Sequence, residues 1–344
     1  MQTPALSSQV GMQPQIRAGL LVNFQPTVER LGGSIDTVLA HAEQAPDVLA
    51  NPAHYLPYTS YLRLLDAAAV ITGCPHFGLE MSRELGAENM GVAGFVMTQA
   101  ASVGDAWSTL QRFYHVHDTY GVVVMTQNED IASIRYEIPR YDAPGARQSL
   151  DVAAGISTNI HRMLCGGTNE ISALYFPYPQ PDDLSVYEFL GPRNLRFEQP
   201  GYAMLFPVEV LQLQVAHSDP NLKNILEQQL ESLELSSQHA TSRQVEKLIR
   251  AFLSTGECTL SHIAQFLSVS VRTLQNRLDA EHTSFQMLLD KIRRELAIQH
   301  LSRGDMQLTQ LAYLLGYSEL SVFSRSFKRW YGTSPRNWRR LQSE

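Results

Sequence analysis

The stretch Leu311–Pro335, LAYLLGYSELSVFSRSFKRWYGTSP, decides the fold of the C-terminal part of this sequence. Its apolar residues recur at helical spacing on both sides of Gly316. Glycine has no Cβ atom, so it adopts the left-handed conformation of a tight turn easily. The pattern predicts a helix, a tight turn and a second helix, with Ser318 as the N-cap of the second helix. This order of elements is that of a helix-turn-helix motif.

The same pattern occurs once more upstream, so the sequence contains an internal repeat. A period of about 50 residues is typical of duplicated supersecondary units. We expect Ser270 to cap the second helix of the upstream copy, in which Ser268 replaces the turn glycine. The matching apolar positions are Leu260, Ile263, Ala264, Leu267, Leu274 and Leu278 upstream, and Leu308, Leu311, Ala312, Leu315, Phe323 and Phe327 downstream.

A long amphipathic helix is predicted between the two copies, over Ser284–Leu301. Its apolar residues form one stripe: Phe285, Leu288, Leu289, Ile292 and Leu296. At 1.5 Å per residue such a helix is about 25 Å long. It could therefore hold two recognition helices about one turn of DNA, ~34 Å, apart, in successive major grooves.

Charge divides the sequence into two parts. The whole chain has 27 basic and 34 acidic residues and a net charge of −7. Thr241–Glu344 has 15 basic and 9 acidic residues, a net charge of +6, which leaves −13 for the residues before it. A basic module suits a polyanion such as double-stranded DNA, and an acidic module suits a different ligand.

The length of 344 residues and the hydrophobic content of 44% predict two globular domains. We predict an α+β sensor and dimerisation domain over 1–235, a linker over 236–241 and an all-α DNA-binding domain over 242–344. Residues 1–33 are interpreted as an arm. The sensor helices are predicted at Ile35–Ala45, Ser60–Thr72, Phe77–Leu85, Val103–His117 and Arg147–Leu164, and its strands at Tyr120–Thr126, Ile131–Ile138, Ile171–Phe176, Leu195–Glu198 and Ala203–Phe206.

The helix Asn221–Leu235 before the linker has two interpretations. Its apolar stripe consists of Leu222, Ile225, Leu226, Leu230 and Leu233. The stripe could join two chains in a homodimer, or it could pack on the sensor domain of its own chain, because so short a stripe specifies neither.

The segment Ile292–Arg339, above all Leu311–Pro335, resembles the DNA-binding region of the AraC/XylS family of bacterial regulators. The similarity extends over Ser242–Arg340. The preceding module resembles the arabinose-binding-type sensor of one branch of that family, through Gly91–Ser102 (GVAGFVMTQAAS) and the strand at Leu195–Phe197. The resemblance implies a cytoplasmic transcription regulator that responds to a small-molecule effector, not necessarily arabinose. It also implies activation of nearby genes more often than repression, and RNA polymerase as a partner.

Base recognition requires donors and acceptors near the N-terminus of each second helix. Candidates for base contacts are Arg272, Gln275 and Asn276 in the first motif and Glu319, Ser321, Ser324 and Arg325 in the second. Candidates for phosphate contacts, which position the protein without reading sequence, are Thr273, Arg277, Lys328, Arg329 and Arg336. We expect Trp330, Tyr331 and Trp338 to cap the core of the second motif.

A pocket for the effector is predicted within residues 15–205, between the strands near Tyr120–Thr126 and Ile131–Ile138 and the helices packed on them. Mostly apolar clefts with a few polar groups are typical of such sites. The candidate polar groups surround the helix–strand junction: Arg112, His115, His117, Tyr120 and Arg135. The alternative interpretation is that these side chains form ordinary surface salt bridges.

Enzymatic functions find no support in the sequence. It contains no nucleophile elbow, phosphate loop or GxGxxG motif, so we predict no catalytic residues and no cofactor. Cys74, Cys165 and Cys258 are scattered, which fits reduced thiols and argues against a fused DNA-repair enzyme with zinc-bound cysteines. No metal site is predicted, because His115–His117 and His161–Cys165 lack partner ligands. No signal peptide or membrane span is expected. A nucleoid-structuring protein, which binds DNA with little sequence preference, is the remaining alternative.

Overall fold

The computed structural model describes residues 13–342 except 139–140, 169, 192–193, 217, 237–239, 254–257, 268 and 304–305. The chain divides into two compact units, Met1–Lys223 and Asn224–Glu344, which we call unit 1 and unit 2. A search of the described helices finds none with the length and apolar character needed to cross a membrane.

Unit 1 has an α+β fold, as predicted. Its helices are α1 (Phe24–Arg30), α2 (Ile35–His41), α3 (Tyr58–Thr72), α4 (Phe77–Ser82), α5 (Val92–Thr98), α6 (Val103–Phe113) and α7 (Ala146–Leu164). Its strands are β1 (Gln15–Arg17), β2 (Tyr55–Pro57), β3 (Val122–Gln127), β4 (Ile131–Glu137), β5 (Ala173–Tyr175), β6 (Leu195–Arg196) and β7 (Tyr202–Pro207). Helix α8 (Pro220–Ser236) begins in unit 1 and ends in unit 2.

The main sheet has five strands in the order β3-β4-β7-β5-β6, and only β5 and β6 are parallel. Burial alternates along β4, where Ala132, Ile134 and Tyr136 are buried and the residues between them are more exposed. This period of two predicts one face toward a core. Helix α6 packs against β3 and α7 against β7, so both helices lie on the main sheet.

The prediction of an N-terminal arm over residues 1–33 is wrong for the residues that the structure describes. Ile16 pairs with Leu56 between β1 and β2, and Phe24 and Val28 are completely buried. Ile16, Leu20, Phe24 and Val28 lie four residues apart, a helical spacing that short elements and turns obscured. Residues 1–12 lie outside the described part of the chain.

Unit 2 is all helical among its described residues, as predicted. Its helices after α8 are α9 (Ala240–Phe252), α10 (Leu260–Phe266), α11 (Val271–Ala280), α12 (Phe285–Arg303), α13 (Leu308–Leu314), α14 (Leu320–Tyr331) and α15 (Pro335–Gln342). Helices α10 and α11 form the first helix-turn-helix motif, and α13 and α14 form the second. Helix α12 connects them and packs against both α9 and α15.

The caps of the two recognition helices differ. Ser270 caps α11 as predicted, since its hydroxyl accepts the Thr273 N–H at 3.0 Å. The prediction for Ser318 is wrong: α14 begins one residue later than expected, so Glu319 occupies the N-cap position and makes no side-chain cap bond. Gly316 has φ of 69°, the left-handed turn that the sequence predicted. Ser268 lies outside the described residues.

The predicted linker, 236–241, is partly helical. Ser236 ends α8, residues 237–239 lie outside the described part of the chain, and Ala240 begins α9. The Glu281 carboxylate accepts the backbone N–H groups of Thr241 and Ser242 at 3.0 and 2.9 Å. Glu281 follows α11 directly, so the first helix-turn-helix motif supplies the cap for the start of α9.

The second turn should tolerate a methyl group less well than a comparable glycine. Gly316→Ala would place a Cβ 2.8 Å from the Leu253 carbonyl oxygen, whereas Gly332, with φ of 74°, has nothing within 4 Å. We expect Gly332→Ala to lower the free energy of unfolding of unit 2 by about 1 kcal/mol through backbone strain. Gly316→Ala should lower it by about 2–3 kcal/mol, because the contact adds to that strain. Chemical denaturation measures both losses, and equal losses would contradict the prediction.

Candidate DNA-binding surface and ligand cavity

Helix α11 of the first motif has one buried and one exposed face. Leu274 and Leu278 are 0% and 1% exposed, which fixes the orientation of the helix in unit 2. The three residues predicted to contact bases, Arg272, Gln275 and Asn276, are all exposed. They lie within about one turn of each other, so the structure brings them together on one face.

The two predicted phosphate contacts of the first motif are less accessible. Thr273 and Arg277 are half-buried. The Thr273 hydroxyl lies 2.8 Å from the Ser270 hydroxyl, so it takes part in capping α11. Thr273 is therefore held at the N-terminus of α11. The N-terminus of a helix favours a phosphate, because its first backbone N–H groups have no partner within the helix.

Helix α14 of the second motif presents a polar stripe. Ser321, Arg325 and Lys328 are exposed and follow one another at helical spacing. Phe323 and Phe327 on the other side are completely buried. The half-buried Ser324 borders the stripe.

Two predicted contacts of the second motif already have partners in the chain. The Glu319 carboxylate accepts the Ser321 hydroxyl at 2.9 Å, beside the first turn of α14. The Arg329 guanidinium lies 3.4 Å from the Asp290 carboxylate of α12. Arg336 is exposed on α15 and lies apart from the α14 stripe in sequence.

The aromatic residues of the second motif pack as expected for a core. The Tyr331 and Trp338 rings lie 4.8 and 6.4 Å from the ring of the buried Phe327, measured between centroids. Trp330 is half-buried. These contacts favour a structural role for the aromatic residues over base stacking.

Arg293 is a positioning residue that the sequence prediction missed. It lies on α12 and donates from Nε to the Leu315 carbonyl at 2.9 Å and from a terminal nitrogen to the Gly316 carbonyl at 3.1 Å. Its guanidinium also lies 4.3 Å from the centre of the Tyr317 ring. It thus ties the second turn to the connecting helix through contacts that the sequence pattern of the repeat does not reveal.

A cavity lies in unit 1 between the main sheet and the helices on it. A largely apolar lining with a few polar groups is typical of small-molecule sites. The cavity lies between the strands and helices that the sequence prediction named. Lining residues include Trp107 and Leu110 of α6, Ile156 of α7, Val123 of β3, Ile134 of β4 and Tyr202 of β7.

A chain of hydrogen-bonded side chains borders this cavity. The Tyr136 hydroxyl donates to the Asp118 carboxylate at 2.8 Å and lies 2.9 Å from the Tyr58 hydroxyl. The Tyr58 hydroxyl lies 2.8 Å from that of Ser149, which lines the cavity. Burial and the Asp118 charge raise the pKa of Tyr58 and Tyr136 well above the ordinary value, so both phenols stay protonated.

His117 is a cavity residue that the sequence predicted. It is 1% exposed and lines the cavity. Burial, and then the positive charge of Arg17, lower its pKa to about 3, whereas a hydrogen bond to the Met90 backbone acts in the opposite direction. The imidazole is therefore neutral at physiological pH. Trp107 Nε1 is buried without a hydrogen-bond partner among the described residues.

The other four predicted ligand residues lie outside the described lining of the cavity. Tyr120 is nearest, since its backbone N–H donates to Asp118 and its ring is 4.3 Å from that of Tyr58. Arg135 has the opposite orientation to Ile134 and Tyr136 on β4, and it pairs with Glu137 at 3.4 Å.

Arg112 and His115 belong to the end of α6 and the turn after it. The Arg112 guanidinium lies 4.8 Å from the centre of the Phe113 ring. His115 Nδ1 lies 3.1 Å from the Arg112 carbonyl oxygen. Of the five residues predicted from their closeness in sequence, only His117 is in the described lining of the cavity. The prediction missed the lining residues of α7, because α7 lies far from the helix–strand junction in sequence.

The sequence contained two histidine or cysteine pairs of metal-site spacing. His161 Nε2 lies 3.6 Å from Cys165 Sγ, and burial lowers the pKa of His161 to about 4. In the described part of the chain, no group of three or more histidine, cysteine or carboxylate side chains could hold a metal ion.

Comparison with known proteins gives two family matches. Residues 32–215 match the arabinose-binding N-terminal domain of AraC transcription regulators, and residues 263–341 match a helix-turn-helix domain. The first match covers more than half of the chain and most of unit 1, and the second covers both recognition helices.

Three curated relatives are similar to this chain. The HTH-type transcriptional regulator VirS of Mycobacterium tuberculosis is 28% identical over 94% of this chain and 96% of its own length. The ornithine utilization regulator of Pseudomonas aeruginosa is 27% identical over 91% of this chain and 92% of its own. The HTH-type transcriptional activator CfaD of Escherichia coli is 33% identical over 32% of this chain and 41% of its own.

Arg325 and Lys328 should have different roles on DNA although they share one exposed stripe. We expect Arg325→Ala to weaken binding to the specific site by about 1–3 kcal/mol and to relax sequence preference, as for a base-edge contact. Lys328→Ala should weaken specific and non-specific binding equally. Competition binding with matched specific and scrambled duplexes separates the two, and an unchanged specificity ratio for Arg325→Ala would assign that residue to phosphate.

The neutral state of His117 should make the chain sensitive to acid. Its folded pKa of about 3 lies below the ordinary 6.5, so the unfolded chain binds a proton that the folded chain excludes. Stability is therefore lost as pH falls below the unfolded pKa. His117→Phe should reduce the slope of the unfolding free energy between about pH 6 and 5 by about 1 kcal/mol per pH unit. Denaturant titrations measure the slope, and Tyr114→Phe, which changes a neighbouring ring, is the control that should retain it.

Proposed function

Because the chain belongs to the family of AraC transcription regulators, we propose that it is an effector-responsive activator that binds promoter DNA through both helix-turn-helix motifs. The helix-turn-helix domain identifies the chain as a DNA-binding transcription regulator, and the N-terminal match identifies a sensor domain of the AraC type. The proposal adds the response to a small molecule, the use of both motifs and the sign of regulation.

The observation that carries the proposal is the combination, in one chain, of a cavity in unit 1 and two exposed recognition faces in unit 2. The connecting helix α12 has 19 residues, which corresponds to about 28 Å. That length supports placement of α11 and α14 in successive major grooves, which lie about 34 Å apart. The net charge of +6 over Thr241–Glu344 favours the approach of this module to phosphate.

Sequence readout is proposed to come from Arg272, Gln275 and Asn276 on α11 and from the α14 stripe around Arg325. Register on the duplex would come from Lys328, Arg336 and the start of α11. Arg329 would contribute after exchange of its Asp290 partner for a phosphate, because an exposed ion pair of this kind contributes little to stability.

Activation is supported by the name of one relative, the activator CfaD, which is similar over the DNA-binding region. RNA polymerase as partner is proposed from the family resemblance alone. A homodimer joined through α8 is part of the proposal. In a single chain Leu230 is 1% exposed whereas Ile225 is 55% exposed. Among the described side chains of the α8 stripe, Ile225 is therefore the most accessible, and we propose it as a contact with a second chain.

The proposal is tested in cells by a cavity-filling variant. We expect the full chain to occupy promoters in genome-wide mapping and to drive a reporter from them under some nutrient conditions and not others. Ala153→Leu fills part of the cavity lining, so it should keep DNA occupancy but lose most of the nutrient response. Met163→Leu, on the exposed side of α7, is the matched control. A reporter that responds equally with Ala153→Leu, or that never varies with nutrients, would exclude the effector response.

A further inference from the structure

The lining of the cavity defines the class of molecule that it can hold, and this inference rests on the effector response proposed above. We propose that the effector is an uncharged, largely apolar small molecule with hydroxyl or carbonyl groups. Amino acids, sugars and carboxylic acids are the classes that the cavity disfavours.

The first argument is the absence of ionic partners. None of the described residues that line the cavity is Lys, Arg, Asp or Glu. Hydrocarbon side chains dominate the lining, among them Leu20, Leu110, Val123, Ile134, Ile156 and Ile160. An ionised ligand group would leave water without gaining a counter-charge, which is strongly unfavourable in an apolar interior.

The second argument concerns the sign of charge at the border of the cavity. Asp118 is completely buried and lies one hydrogen bond behind the lining residue Tyr136. Burial is the largest cause that raises the pKa of the four surrounding tyrosines, and the Asp118 charge is the second, so Asp118 makes the local potential more negative; the four are Tyr58, Tyr61, Tyr114 and Tyr136. A carboxylate would be repelled there, and the lining residue His117 is held neutral and supplies no positive charge.

A cation is disfavoured for a different reason. The two Asp118 oxygens already accept hydrogen bonds from the Tyr136 hydroxyl and the Tyr120 N–H, and Asp118 is not among the lining residues. An ammonium in the cavity would have hydroxyl oxygens but no carboxylate within direct reach. An amino acid would combine both disadvantages.

The third argument identifies the polar groups that a ligand can satisfy. Trp107 and His117 both line the cavity. Trp107 Nε1 is a buried donor without a partner among the described residues. The neutral His117 ring has one donor and one acceptor, and its hydrogen bond to the Met90 backbone uses the donor and leaves the acceptor. Unpaired buried groups are unfavourable, so a ligand carbonyl or hydroxyl that pairs with them gains affinity. A sugar would instead bring many hydroxyls into a mostly apolar lining, in which the hydroxyls of Tyr136, Ser149, Ser157 and Tyr202 already bond to other side chains.

The test uses the full chain and two series of probes that differ only in their head group. One series is 1-octanol, octanoate and octylammonium; the other is 2-naphthalenemethanol, 2-naphthoate and 2-naphthylmethylammonium, with L-ornithine and D-glucose as polar probes. Calorimetric titration gives a Kd for each. At least one alcohol should bind about tenfold or more tightly than its charged counterparts, because those lose hydration without an ion partner.

Variants show whether binding occurs in this cavity. His117→Phe and Trp107→Phe keep an aromatic ring but remove hydrogen-bonding groups, and at least one should weaken alcohol binding by about threefold to tenfold. His54→Phe makes the same substitution at an exposed position and should leave the Kd unchanged.

Three results would overturn the proposed ligand class: a charged probe or ornithine that binds as tightly as the alcohols, binding that neither cavity variant alters, or no binding of any alcohol. None of these excludes an effector, because the nutrient response of the reporter and its loss in Ala153→Leu are measured separately. A reporter without that response would instead refute the proposed function, whatever the probes do.

Discussion

The fold of the DNA-binding unit depends on the burial of helix α12, which both helix-turn-helix motifs require for their stability. Each motif is two short helices, and units of this size cannot bury an apolar face alone. Ile292 and Ala297 of α12 are completely buried, as are Val245 and Ile249 of α9 against which α12 packs. The ion pairs Arg250–Glu295 and Lys291–Glu246 join the same two helices at the surface. The shared core therefore fixes the spacing of the recognition helices, and Arg293 extends that control to the second turn.

Unit 1 differs from unit 2 in that its interior is not completely filled. Protein interiors are normally packed as densely as organic crystals, with few voids larger than a water molecule. Here α6 and α7 cover the sheet but leave a cavity, and Trp107 Nε1 is buried beside it without a partner among the described residues. Both features reduce stability, and a ligand of the proposed class would offset both.

The sequence predicted best what is local and periodic. The repeat located both motifs, α12 and the Gly316 turn, because helical spacing and a left-handed glycine are properties of neighbouring residues. Ser318 was misplaced by one residue, which is the scale of uncertainty at any helix end. A cavity does lie between the sheet and the helices that the sequence named, but of the five residues predicted to contact a ligand, His117 alone is in its described lining. His117 and Ser149 line it together only because β4, α6 and α7 meet in three dimensions, and Arg135 differs from its neighbour Ile134 only by the alternation of a strand.

The uncharged effector proposed above would also limit how the signal reaches DNA. Its binding would leave the net charge of each unit unchanged, so it would not alter the attraction between the basic module and phosphate through net charge. It would instead bind two conformations of the chain with different affinities and shift their populations. The covalent route begins with α8, which starts in unit 1, and continues to α9, whose first N–H groups are capped by Glu281 at the end of the first motif. A conformational change at the N-terminus of α9 would therefore first displace Glu281 and α11. The second motif would then shift through the packing of α12 against α9.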